Sequence, residues 1–435
     1  MNKINRKFGP WAAAAVLSGF ALGHFGDPAA QPSSSASEGP VLVLMHGRVY
    51  PAPDMPPLDN ATVVMRGGRI AAIEAGSATA PPAGSRIIDC TGLVITAGFQ
   101  NSHVHFTERK WAGPAAQPAA KLESQLADML TRYGFTTVVD TGSDPRDTMV
   151  LRARLQSGDV AGPRVLTSGS ALYPPDGIPF YLKETLPAAV LPYLDTPPTP
   201  QEAARVVQRD IAGGADIIKI FTGSLVTRTS VKPMAVDVAT AIVAEAHRGG
   251  RLVFSHPSNL EGIRVALDAR VDVLAHTASD GQPWSDSLVA EMVEHRMSVT
   301  PTMKLWTYEL TRNGVPKERI ERVVSAAAQQ LSAFSKAGGQ VLFGTDVGYM
   351  TDYDPTDEYA AMAGPAGLTP MRILESLTTS PAARFGESER RGRLAPGMDA
   401  DLVVLSADPA DDARRFSSVR YTIRQGRIVY PLPDR

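Results

Sequence analysis

Cysteine is almost absent from this sequence, Cys90 being the only one in 435 residues. No intramolecular disulfide can form, and no thiolate cluster can hold a metal ion. A lone cysteine of this kind packs as a small buried hydrophobe sooner than it acts as a nucleophile. Aromatic residues are scarce at 6%, which argues against a base-stacking platform. Net charge is nearly absent too, at -2, so neither nucleic acid nor an anionic membrane is an expected partner. The apolar run near the start, WAAAAVLSGFALG from Trp11 to Gly23, is too short to span a bilayer comfortably.

What is present suits an ordinary globular protein, with 43% hydrophobic and 20% charged residues. The length accommodates a barrel plus a smaller satellite. Lys3, Arg6 and Lys7 precede the Trp11–Gly23 run, so residues 1–26 are expected to be a signal peptide or an uncleaved membrane anchor. The Ser/Pro/Ala-rich stretch over 27–40 reads as a linker. Export to the periplasm or beyond is the expectation, and the dearth of cysteine suits either place. No tidy small-x-small cleavage site is visible.

Short alternating runs follow: VLVLMHGRVY, ATVVMRG, GRIAAIEAG and RIIDCTG. Turn residues bound each one, the pattern of short strands. The same texture returns in ADLVVLSADP and SVRYTIRQGRIVY. Residues 41–95 and 393–435 are therefore read as one small β-sandwich domain built from both ends. Between them, over 96–392, apolar strands alternate with helical segments, which implies a parallel sheet in an α/β fold. The strand candidates number eight: GFQNSHVHF, TTVVDTG, RVLTSGS, ADIIKIF, LVFSH, VDVLAHT, SVTPTM and VLFGTD. Helices are expected at QEAARVVQRDIAGG, VDVATAIVAEAHRGG, LEGIRVALDAR and ERIERVVSAAAQQLSAFSKAGG. Eight strands with their crossovers match a (β/α)₈ TIM-like barrel; a doubly wound open sheet would need fewer.

Histidines mark the chemistry. His103 and His105 form a His-x-His at the end of the first barrel strand, and positions i and i+2 of a strand project to the same face. His256 ends the fifth strand and His276 the sixth. All four fall on the face where barrel enzymes carry their active sites. The remaining four lie in the export segment, in the terminal β domain, or at helix ends where a cation complements the dipole. Asp346 follows the eighth strand and could ligate a metal or accept a proton from water, or simply cap a helix. Lys219 interrupts the apolar strand ADIIKIF. A buried ammonium must find a counter-charge or lose its own. Either it pairs with Asp346 or another buried acid, or the neutral amine reacts with carbon dioxide to give a carbamate ligand.

The order His-x-His, strand Lys, His, His, Asp resembles the binuclear amidohydrolase superfamily, and within it the imidazolonepropionase-related and Xaa-Pro dipeptidase-like branch. DCTGLVITAGFQNSHVHF resembles the family's segment leading into the barrel, ADIIKIFTG its fourth strand, GTDVG its eighth, and AGLTPMRILESLTTSPAARFG its last barrel helices. GRLAPGMDADLVVLSADP, with Gly397, Ala400 and Asp401, resembles the return into the β domain. The resemblance implies that His103, His105 and Asp346 hold one divalent ion and His256 and His276 a second. It implies that Lys219 is carboxylated and bridges them. Zinc is the ion such ligands suit. It also implies an amide hydrolase in which a metal-bridging hydroxide attacks the carbonyl and Asp346 shuttles the proton to the leaving amine.

The sequence departs from the family pattern in places. Ala97 stands for a usual proline, and Asn101 for a common aspartate. Pro257 and Ser258 stand where relatives carry alanine and a second histidine. Substrate choice is expected from the loops SALYPPDGIPFYLKE, TGSLVTRTSVKPM and GYMTDYDPTDEY, where Arg228 and Lys232 are candidate carboxylate binders or plain solvated charges. Three functions are consistent with the residues. The first is hydrolysis of an Xaa-Pro dipeptide or N-acyl amino acid. The second is hydrolysis of a cyclic amide, ester or lactone, and the third a non-catalytic exported metal-binding scaffold. A small-molecule or dipeptide-like substrate is the expected partner, and a homo-oligomer is compatible with the chain.

Overall fold

The alternating runs near both chain ends become strands, and the apolar runs between them become strands of another kind. The computed structural model describes residues 41–76, 80–186 and 188–432. The expected export segment 1–26 and linker 27–40 lie outside the described residues. In chain order the strands near the start are β1 (Leu42–Val49), β2 (Leu58–Arg66), β3 (Arg69–Glu74), β4 (Arg86–Asp89) and β5 (Val94–Ala97). The middle of the chain supplies β6 (Phe99–Val104), β7 (Phe135–Asp140), β8 (Arg164–Thr167), β9 (Ala171–Leu172), β10 (Ile217–Phe221), β11 (Gly223–Leu225) and β12 (Val231–Pro233). It continues with β13 (Leu252–His256), β14 (Val273–Ala275), β15 (Ser298–Thr300) and β16 (Gln340–Val341), and the end of the chain adds β17 (Leu402–Leu405), β18 (Val419–Arg424) and β19 (Arg427–Tyr430).

Strands from the two ends pair in one eight-stranded sheet, ordered β19-β18-β17-β5-β1-β2-β3, with β4 also on β1. β1 is the branch point. Its first half pairs in parallel with β4, its second half with β5, and a register shift lies between them near His46, where φ is +64°. The sheet has its own apolar cluster, which includes Leu44, Val63, Met65, Ile95, Leu402 and Ile423. Cys90 is fully buried in it. Other residues of the same strands, Tyr50, Val94, Val403 and Leu405, pack into the main core instead.

The parallel strands form two ladders, β6-β7-β8 and β9-β10-β13-β14-β15-β16. Most of their residues are buried on both faces, as helix-covered parallel strands require. Backbone bonds cross both gaps between the ladders. Asp216 N donates to Thr167 O (2.8 Å) on one side, and Ser102 N to Phe343 O (2.7 Å) on the other. Val139 of β7, Leu166 of β8, Ile217 of β10, Phe254 of β13, Val273 of β14 and Leu342 just past β16 pack into a separate cluster. This apolar layer therefore spans the two ladders.

The four expected helices are present as Pro200–Ala212, Val236–Arg248, Leu260–Asp268 and Lys317–Lys336. Thr199 and Asn259 cap two of them by accepting from Glu202 N and Gly262 N. The eighth expected strand, VLFGTD, is shorter than its sequence suggests. Its ladder ends at Val341, because Thr345 and Asp346 both donate their N–H to His103 O (3.3 and 2.9 Å) and Asp346 turns left-handed at φ +62°.

Candidate active site

Side chains two residues beyond an interior position project to the same face one layer higher. Lys219 stands two beyond Ile217, and His256 two beyond Phe254, both of the apolar layer. His103 lies inside β6, His105 just past it, His276 immediately after β14 and Asp346 beyond β16. All six sequence-selected residues line one cavity of about 410 Å³ at the finishing ends of the strands. Ring centroids are 5.2 Å apart for His103 and His105, 4.6 Å for His103 and His276, and 4.8 Å for His256 and His276. One ligand atom each from His103, His276 and Asp346 lies within 4.8 Å of the others.

The backbone is strained around this cavity. Ser258, His276, Thr302 and Asp346 have φ of +56°, +77°, +45° and +62°. Each left-handed non-glycine residue costs roughly 1–3 kcal/mol, and such strain concentrates at functional sites. These turns let His276 and Asp346 leave their strands and face inward.

Electrostatics match a cation site. Burial, reinforced by the Lys219 charge, holds His103 well below the usual imidazole range. Burial likewise lowers His276, and it pushes His256 down to about 3. These imidazoles are therefore neutral, the form that ligates metals. Nδ1 and Nε2 of His103, Nδ1 of His105 and Oδ1 of Asp346 are buried without a hydrogen-bond partner among the described residues. Asp346 Oδ1 stands 3.0 Å from His105 Nε2 and 3.4 Å from His103 Nε2, close but out of hydrogen-bonding alignment. Leaving such groups unsatisfied costs about 1–3 kcal/mol apiece, and divalent cations meet that need. Lys219 is 2% exposed and has no ion-pair partner among the described residues. Its nearest aromatic neighbour is Phe221, with Nζ 5.6 Å from the ring centroid. Burial pushes its amine down to about 7 against the pull of Asp346.

The rest of the cavity draws on the loops expected to choose the substrate, which supply Tyr173, Tyr181, Arg228 and Tyr349, and on Phe221 and Trp306, which the sequence did not single out. Tyr173, Tyr181, Phe221, Trp306 and Tyr349 form an aromatic wall. Phe221 stacks on His256 at 4.8 Å, and the Tyr349 hydroxyl donates to Glu309 Oε2 (2.8 Å). Phe221 ends β10, Tyr181 and Trp306 lie on helices and Tyr173 and Tyr349 on loops, so no single periodic signal marks this wall. Arg228 does line the cavity, resting over Phe180 and hydrogen-bonded to Asn313. Lys232 instead pairs with Asp176 (3.6 Å).

Comparison with known proteins agrees with this geometry. Residues 94–429 match the profile of the Amidohydrolase family. The chain belongs to the amidohydrolase family. It is an enzyme, a hydrolase acting on amide or cyclic amide carbon–nitrogen bonds. It is 24% identical to the L-hydantoinase of Paenarthrobacter aurescens over 86% of this chain and 89% of that one. It is 23% identical to the imidazolonepropionase of Thermoplasma acidophilum over 88% and 92%. Among solved structures, a proposed prolidase from Bifidobacterium longum superposes with a TM-score of 0.77 and 27% identity, covering 91% of this chain and 96% of that one. The resemblance drawn from the motifs is thus correct at the level of the superfamily.

Proposed function

We propose that this amidohydrolase is a binuclear metal enzyme that cleaves the amide of an Xaa-Pro dipeptide or N-acyl amino acid at the mouth of a (β/α)₈ barrel. The observation that carries the reading is the convergence of four histidines, Asp346 and Lys219 on one cavity, with buried nitrogen and oxygen atoms that have no hydrogen-bond partner among the described residues. The apolar layer shared by six strand segments supports the barrel.

His103, His105 and Asp346 would hold one ion, and His256 and His276 the other. Such ions, zinc being the species these ligands suit, supply Lewis acidity that polarises a carbonyl and makes water acidic near neutral pH. Lys219 would join them as a carbamate. Its lowered amine is substantially neutral at pH 7, so Nζ can bond to the carbon of carbon dioxide and release a proton. The lack of an ion-pair partner favours this over the paired-lysine alternative.

The chain's own part in hydrolysis is positional and acid–base. Asp346 takes a proton from the attacking water and returns it to the leaving nitrogen as the C–N bond breaks. The aromatic wall excludes water around the scissile bond, and Arg228 at the rim is a candidate partner for a substrate carboxylate. The N-terminal 26 residues are read as an export signal or anchor that delivers the enzyme to the periplasm or beyond.

The test is metal content together with a substrate library of dipeptides, N-acyl amino acids, cyclic amides and lactones. Close to two ions per chain and turnover of the dipeptides or N-acyl amino acids is the expected result. One ion and an active Lys219→Ala would sink the binuclear reading. Turnover confined to ring substrates would move the assignment to the hydantoinase-like side. No rate on any member, with metal bound, would place the substrate outside these classes.

A further inference from the structure

We propose that Thr302 is a positioning residue for His276, setting which imidazole nitrogen faces the cavity. The proposal rests on the reading of His276 as a metal ligand. Thr302 occupies the position before the helix Met303–Arg312, where a threonine ordinarily accepts from a backbone N–H of the first turn. Here it makes no such cap. Its hydroxyl instead donates to Pro301 O (2.9 Å) and lies 2.6 Å from His276 Nδ1. With the hydroxyl proton committed to Pro301, Thr302 accepts, so Nδ1 carries the imidazole hydrogen. Nε2 is then left as the lone-pair nitrogen, the one available to a cation.

Two further features show that the arrangement is built. Thr302 is fully buried and held at φ +45°, a conformation β-branched residues rarely adopt. The capping duty it gives up is taken over by Glu358, also fully buried, whose Oε1 and Oε2 accept from Met303 N (2.8 Å) and Lys304 N (2.7 Å). One turn on, Trp306 Nε1 donates to Thr277 Oγ1 (2.7 Å), tying the same helix to the residue after His276. The helix start is therefore fastened to the His276 segment at two points and satisfied from a third, which frees the Thr302 hydroxyl for the imidazole.

The experiment strips the full chain of metal and titrates zinc back against a chelator. Thr302→Val keeps the branched shape and removes the hydroxyl. The expected result is a selective loss: one of the two ions binds 10–100-fold more weakly, while the other keeps its affinity and the fold its circular dichroism. Thr302→Ser, which retains the hydroxyl, should restore most of the lost affinity. Two ions bound by Thr302→Val as tightly as by the wild type would overturn the proposal. Equal loss of both ions without rescue by serine marks a merely structural role and overturns it too. A wild-type chain that never takes up a second ion refutes the site reading itself, and this proposal with it.

Discussion

At the starting ends of the parallel strands, Arg164 pairs with both oxygens of Glu387 (2.8 and 2.7 Å). Nearby, Asp399 gathers Arg391 (2.6 Å), Arg69 (2.7 Å) and Arg390 (3.2 Å). At the finishing ends, His103 and Asp346 are buried and His105 nearly so, yet they carry nitrogen and oxygen atoms with no hydrogen-bond partner among the described residues. Both clusters are polar and enclosed, but only the first pairs charge with charge. That cluster ties the terminal sheet, through Arg69, to the helices under the parallel strands. The second leaves its ligand atoms unbonded and, by burial, holds the His103 imidazole neutral, the form that ligates cations. Charge pairing thus separates a structural cluster from a chemical one more clearly than burial does.

The comparison breaks most visibly at Lys219. Lys219→Ala should lose more than about 100-fold in turnover, beyond the 10–100-fold seen when an outer partner of a ligand is removed, and should lose bound metal by elemental analysis. Asp346→Asn is expected to lower kcat by about 10²–10⁴, the usual contribution of a general acid–base. Without metal its melting temperature should not fall, because Asp346 Oδ1 makes no hydrogen bond among the described residues. Arg391→Met should behave oppositely. It leaves Asp399 with two half-exposed arginines, so urea unfolding should show a loss of about 1.5–3 kcal/mol, that of a hydrogen bond to a charged group, with activity per folded molecule unchanged.

Glu358 stands between the two clusters, since it has two amide donors but no counter-ion at contact distance. Burial raises its carboxyl to about 7 from the ordinary 4.5. A raised carboxyl favours the folded state below the unfolded pKa and loses that contribution as pH climbs through the folded value. Wild type should therefore lose stability relative to Glu358→Gln between pH 5 and 8, by up to about 3 kcal/mol. A flat difference across that window would show that the two amide donors outweigh burial.

Much of the molecule was legible beforehand. Period-two runs announced the strands of the terminal sheet, and the helix patterns around Ala203, Ile242, Ile263 and Leu331 found buried faces as expected. The six candidate residues that share the cavity could be picked out because a histidine, an aspartate or a lysine at the end of an apolar strand has few structural excuses. Thr302, Glu358 and Tyr349 were not. Their roles depend on contacts across 26, 55 and 40 residues of chain, and no local pattern records such a meeting. The length of the eighth strand also escaped, because hydrogen bonds to His103 O, remote in sequence, end its ladder at Val341.

The sequence by itself determined the chemistry available: which residues can ligate, which strands carry them, and the family to which their order belongs. Those follow from residue type and from the two-residue repeat of a strand, both local properties. Only the tertiary structure decided which of the polar groups would be paired and which left open, and which nitrogen of His276 would face the cavity. Pairing and orientation depend on distances between segments far apart in the chain, and folding alone brings those segments within hydrogen-bonding reach.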